Sequence, residues 1–174
     1  MRLKLPSTEY LRRCLRYNKR TGVLTWRKRP REHFVSNRGW NRWNSRYAGR
    51  EAFTATSKKG HRSGAIDKRL YQAHRVIWKL VTGKDPRELI DHKDLCGSNN
   101  RWRNLREATN GQNRINSRQR KNNPRHGVGL RKGRWIAYKS VNGKHKHIGC
   151  FGSEAEAIAA RRASDAEQYG EFAR

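Results

Sequence analysis

Asp91 and His92 stand side by side, Asn104 follows twelve residues after His92, and Asn113 nine residues after that. An imidazole beside a carboxylate can take a proton from a water attacking phosphorus. Asp91 offers a hard oxygen donor and Asn113 a neutral one. That pair suits Mg²⁺ or Mn²⁺, with water and phosphate oxygens filling the other positions. One divalent cation per site would stabilise charge on the leaving oxygen. Asn104 can orient the His92 ring or fix a loop through its amide. The spacing makes His92 and Asn104 candidate catalytic residues, and Asp91 and Asn113 candidate metal ligands.

These side chains need a frame. Glu88 to His92 reads as a short strand, Lys93 to Arg101 as a polar loop, and Asn104-Leu105-Arg106 as a second strand. Thr109-Asn110-Gly111-Gln112 has the form of a capping box, so a helix begins there with Asn113 in its first turn. Strand, loop, strand and helix would gather the polar groups at one corner. Upstream, short strand-like runs lead into a helix over Ala73–Val81, stopped by Gly83.

The flanks are basic. The 174 residues carry 42 Lys+Arg against 14 Asp+Glu, a formal charge of +28. Such a charge favours polyanions and drives phosphate binding by counterion release. No stretch approaches the roughly 18 apolar residues of a spanning helix, and no signal peptide is visible. Nucleic acid is therefore the leading partner class, with no membrane and no small-molecule substrate expected. Cys14, Cys96 and Cys150 lie far apart, with no Cys-x-x-Cys pair. That argues against structural zinc and for a reducing cytoplasm.

Four segments are expected. Residues 1–60 form a basic extension. In it Ser7 caps a helix carrying Tyr10, Leu11, Cys14, Leu15 and Tyr17, and Val23–Trp26 makes a short strand. Arg27 to Arg50, rich in Asn, Gly and Trp, reads as a long loop. Residues 61–118 hold the chemistry, and 119–125 form a basic linker. Residues 126–174 carry three strands (Val128–Arg131, Arg134–Val141, His145–Phe151), with a hairpin signal at Asn142-Gly143. A helix capped at Ser153 follows, with Ala155, Ile158, Ala159, Ala163 and Ala166 on one side. Strand alternation turns Trp135 and Ala137 toward that helix. His33, His61 and His126 read as solvated, and Asn99 and Asn100 as loop turn formers.

His74-Arg75, Asp91-His92-Lys93-Asp94, Asn99-Asn100, the run Asn104 to Thr109, and Asn113 resemble the HNH endonucleases of phages and mobile introns. The resemblance covers about residues 70–117. It implies a ββα-metal fold in which His92 is the general base, Asp91 and Asn113 hold the metal, and Asn104 is the middle Asn. The family's third position is often His, and here it is Asn113. His126-Gly127-Val128, Gly133–Ala137, Asn142-Gly143-Lys144 and Ile148–Phe151 resemble the Apetala or ethylene-response-factor DNA-binding domain. That family lays a three-stranded sheet on DNA and backs it with a helix. Lys139 stands where that family has an apolar residue, and Gly129 where plant members place a base-reading Arg, so no target sequence carries over.

The expected fold class is therefore α+β: an HNH core, an N-terminal helix and strand extension, and a C-terminal three-stranded antiparallel sheet on one helix. Candidate DNA contacts are His74, Arg75, Arg106, Arg118, Arg120, Arg125, Arg131, Arg134, Tyr138, His145 and His147. The resemblance implies a phage-encoded homing endonuclease in a bacterial cytoplasm, nicking one strand per active site, for which a monomer suffices. A non-catalytic DNA-binding regulator needs only the C-terminal sheet, and an RNA-binding protein would share the charge and aromatics.

Overall fold

The computed structural model describes residues 4–116, 126–141 and 144–173. It divides into two compact units, one ending at Ala108 and one beginning at Thr109.

In the first unit, helix α1 (Thr8–Cys14) starts where the Ser7 hydroxyl accepts a hydrogen bond from the Tyr10 amide. It stops earlier than its apolar spacing suggests. Leu15–Tyr17 is strand β1, paired antiparallel with β2 (Leu24–Trp26), which pairs in turn with β3 (Glu51–Ala52).

The expected long loop after Trp26 is instead ordered around helix α2 (Asn37–Tyr47), capped by the Ser36 hydroxyl. Its basic, Asn-rich composition masks a helical stripe of Trp40, Trp43, Asn44 and Tyr47. That stripe closes on one buried arginine. Asn44 Oδ1 accepts from the Arg29 amide at 2.8 Å, and Trp40 Nε1 donates to the Arg29 carbonyl at 2.8 Å. The Arg29 guanidinium lies over the rings of Phe34, Trp43 and Tyr10 and pairs with Asp67 at 2.7 Å. A cation carried inward by aromatic faces and a carboxylate is what an apolar count overlooks.

Strands β4 (Ala55–Thr56), β5 (Arg62–Ile66) and β6 (Arg69–Gln72) form a second small sheet. Asp67 and Lys68, both at positive φ, make the tight turn between β5 and β6. Helix α3 (Ala73–Thr82) follows and ends at Gly83 in the left-handed conformation. β7 (Leu89–His92) and β8 (Leu105–Ala108) pair antiparallel, with Asp91 opposite Arg106 and His92 opposite Leu105.

A boundary near residue 60 is not found. One apolar cluster runs from Leu5 through Leu11, Cys14, Leu24 and Phe53 to Val76, Ile77, Ile90 and Leu105. The whole chain has only 33% hydrophobic residues, and its N-terminal segment shares the core of the strand pair rather than building its own.

The second unit starts with helix α4 (Asn110–Ile115), closed by a capping box between Thr109 and Gln112. The helix expected within residues 61–118 thus belongs to the second unit. Strands β9 (Val128–Arg131), β10 (Arg134–Val141) and β11 (Lys144–Phe151) form an antiparallel sheet with β10 central. Helix α5 (Glu154–Tyr169) packs on all three strands, its N-terminus closed by a Ser153–Glu156 capping box. The buried face of α5 differs from expectation. Ala155, Ala159, Ala163 and Ala166 are exposed, whereas Ala157 and Arg161 are buried. Arg161 pairs with Asp165 one turn on, and Lys139 reaches across from β10 to the Ser164 carbonyl at 3.2 Å. These polar contacts, rather than the alanine spacing, set the helix rotation.

Candidate active site

His92 ends β7 and is 4% exposed. Its Nε2 lies 3.2 Å from Asn100 Oδ1. An amide oxygen only accepts, so this contact places the proton on Nε2 and the basic lone pair on Nδ1. Burial pushes the imidazole below its ordinary pKa. The Asn100 hydrogen bond and the carboxylates of Asp94 and Asp91 pull it back only in part. His92 is therefore neutral near pH 7, the form a general base requires.

The hydrogen bonds of the Asn104 amide go to Asp94 and Asn99 and not to the His92 ring. Asn104 clamps the loop instead. Its Nδ2 donates to the Asn99 carbonyl at 2.7 Å and to Asp94 Oδ1 at 2.9 Å, and its Oδ1 accepts from the Asp94 amide at 3.1 Å. Partial burial pushes the Asp94 carboxyl up, but hydrogen bonds from Asn99, the Cys96 amide and Asn104 outweigh it, and the net shift is down. The loop is also held from the N-terminal hairpin. Tyr17 Oη donates to the Asn100 carbonyl at 2.7 Å, and the Trp102 amide donates to the Lys19 carbonyl at 3.1 Å. Gly22 sits so close that a Cβ there would lie 2.5 Å from the Arg101 amide nitrogen. Gly97 approaches less closely: a Cβ there would lie 3.1 Å from the backbone of Gly60 and His61.

Asp91 is 6% exposed; its Oδ2 accepts a hydrogen bond from Arg106 Nε at 3.0 Å, and Arg106 Nη2 lies 3.0 Å away in the same ion pair. Cross-strand register puts these two residues directly opposite. Arg106 was expected to contact DNA. Its guanidinium is instead buried on Asp91, because an unpaired buried carboxylate would be costly.

Two further imidazoles surround His92. His61 precedes β5 and His74 lies in the first turn of α3. Ring centroids are 5.2 Å apart for His61–His74, 5.5 Å for His61–His92 and 5.2 Å for His74–His92. Burial, then the charges of His92, His61 and Arg75, push His74 down to about 3. His74, expected to contact DNA, is 4% exposed and packed inside this group. His61, expected to be solvated, is half-buried there. Asn100 is the further residue whose role a turn-former reading misses. Its place in Asn99-Asn100 was the available signal; no spacing pointed to His61.

Asn113 is an exposed residue of α4 in the second unit. Arg75 is half-buried. Arg118, Arg120, Arg125, the basic linker and the Asn142-Gly143 turn lie outside the described residues. On the sheet, Arg131, Arg134, Tyr138, His145 and His147 are all exposed, whereas Ala137 is fully buried and Lys139 nearly so. Register pairs Arg134 with Arg131 and Tyr138 with His147. A bulge at Ile148 shifts the register beyond Ala137. Trp26 is buried in the core, and Trp78 packs against Trp102 at 5.2 Å.

An α+β unit with a buried neutral histidine at a strand end, and an asparagine clamping the loop behind it, has the parts of a phosphodiester hydrolase. Residues 71–115, about a quarter of the chain, match the family model of the HNH endonucleases. The match spans His74, Asp91, His92, Asn104, Arg106 and Asn113, and it supports an HNH nuclease, which acts on DNA with a divalent metal. No curated protein and no solved structure matches the chain. Among the described residues no helix is long and apolar enough to cross a membrane.

Proposed function

We propose that the chain is a site-specific endonuclease that hydrolyses phosphodiester bonds in duplex DNA, with His92 as general base. The supporting observation is the neutral, Asn100-oriented imidazole inside the matched segment. His92 Nδ1 takes a proton from water as its oxygen bonds to phosphorus, and the phosphorus–oxygen bond opposite breaks. Asn104 keeps the loop in place so that Asn100 holds the ring. A carboxylate has about four acceptor positions, so Asp91 can serve Arg106 and a cation together. That donor fits a hard divalent ion, Mg²⁺ or Mn²⁺. The ion would supply charge stabilisation at the leaving oxygen.

On the same reading the enzyme is a phage-encoded homing type, works in the host cytoplasm and nicks one strand per site. Arg75 and the exposed face of the second unit's sheet, an Apetala-type module, bind the duplex. Lys19, Arg20, Arg101 and Arg103, which line one cleft with Trp102, extend the phosphate-binding surface.

Supercoiled plasmid is the test. Expected are nicked circles with Mg²⁺ or Mn²⁺, none with chelator, and none from His92→Ala. A wild-type protein that binds the plasmid but leaves it intact under every cation tried would instead be a DNA-binding regulator. The exposed basic sheet face favours that second reading.

A further inference from the structure

The His61, His74 and His92 side chains converge from three separate elements. Each offers one ring nitrogen, and these atoms lie within 4.8 Å of one another. The rings meet edge-on or tilted, at interplanar angles of 62°, 54° and 88°, so no ring face covers the nitrogens of another. His61 Nδ1 and His74 Nδ1 are buried without a hydrogen-bond partner. Buried polar nitrogens in native proteins are rarely left so, and an orphaned one calls for an explanation such as an ion. Imidazoles suit borderline cations, whereas Mg²⁺ wants oxygen. Around Zn²⁺, with Zn–N of about 2.0–2.1 Å, tetrahedral nitrogens sit roughly 3.4 Å apart, so closure needs only side-chain adjustment. A ligating histidine characteristically gives its other N–H to an oxygen, and Asn100 Oδ1 is that partner for His92. The absence of cysteine pairs has no bearing on an all-imidazole set.

We propose that His61, His74 and His92 form a three-imidazole site for a borderline divalent cation of the Zn²⁺, Co²⁺ or Ni²⁺ class, whose occupancy blocks DNA cleavage. It is distinct from the Asp91 carboxylate. His92 cannot donate its lone pair to a metal and accept a proton from water at once, so the occupied site is inhibited. The inhibition rests on the nuclease reading; the binding does not.

The full-length, metal-free protein is titrated with Co²⁺ and followed by visible absorption. One equivalent should give the d–d bands of a low-coordinate nitrogen site, and Zn²⁺ should bleach them. His61→Gln, at the least buried of the three positions, should weaken binding at least about tenfold. Proton NMR of the wild-type Co²⁺ form needs no variant and should show shifted imidazole signals from three rings. A spectrum of hydrated Co²⁺ only, or folded His61→Gln binding as tightly as wild type, overturns the site. With Mn²⁺ as activator, an equivalent of Zn²⁺ should slow plasmid nicking about tenfold or more in wild type. It should leave His61→Gln at its own zinc-free rate. A protein that binds Co²⁺ but never nicks upholds the site and removes the nuclease reading. One that nicks but shows no Co²⁺ bands removes the site alone.

Discussion

The corner around His92 and the outward face of the β9–β10–β11 sheet draw on similar residue types and hold them in opposite ways. At the corner, Asp91, His92, Asn100, Asn104 and Arg106 are buried and tied to named partners. On the sheet, Arg131, Arg134, His145 and His147 are exposed, and Tyr138 is 40% exposed. Burying polar groups costs free energy unless each is satisfied, so a buried, pre-oriented set points to chemistry that needs fixed geometry. Exposed cations carry no desolvation penalty and gain by neutralising phosphates. One region should govern rate and the other affinity.

The strongest way to break that division is His92→Ala. We expect nicking to fall about 10²–10⁴-fold while duplex affinity in gel shifts stays within about twofold. An equal loss of both would place His92 in binding. The pH profile sharpens the point. The base acts in its neutral form, and burial lowers its pKa. The wild-type rate should therefore hold through neutrality and fall only as pH drops through a value below the usual histidine range.

Arg106→Ala separates a buried cation from an exposed one. Removing one partner of a buried ion pair costs about 3–5 kcal/mol. The denaturant midpoint should drop accordingly, and the salt dependence of DNA binding should not change. A shallower salt slope in this variant would return Arg106 to the phosphate contacts.

How far the sequence foretold these two regions follows from what periodicity reports. The strands of the sheet begin and end within a residue of expectation, because alternation and turn residues are local signals. Asp91, His92 and Asn104 were marked by spacing. The His61–His74–His92 group was not, since its members meet from the turn before β5, from α3 and from β7, and share no sequence interval. Helix α2 was missed because its anchoring stripe closes on Arg29, a residue counted as surface charge. The burial of Arg106 on Asp91 was illegible for the same reason: composition counts a cation without knowing what lies across the strand pair.

On the sheet face, Arg134→Ala should leave the unfolding midpoint within about 0.5 kcal/mol of wild type. The slope of log affinity against log salt should become shallower by about 0.9, one phosphate contact. Nicking at saturating DNA should not change. A fall in that saturated rate would carry the sheet into the chemistry and dissolve the contrast.

Tyr17→Phe asks whether the corner is rigid because of its own bonds or because the N-terminal hairpin holds it. Burial pushes the Tyr17 phenol up to about 12, so it remains a donor at any working pH. It gives its hydrogen to the carbonyl of Asn100, the residue whose side chain orients His92. The ring stays in the phenylalanine variant and only the hydrogen bond goes, which costs about 0.5–1.5 kcal/mol. If that loss is felt at Asn100, the saturated nicking rate drops a few-fold, and amides of the 97–104 loop exchange faster while α2 is unaffected. If the rate holds and only the unfolding midpoint moves, the clamp of Asn104 on Asn99 and Asp94 is sufficient by itself. The N-terminal segment would then contribute core rather than catalytic geometry.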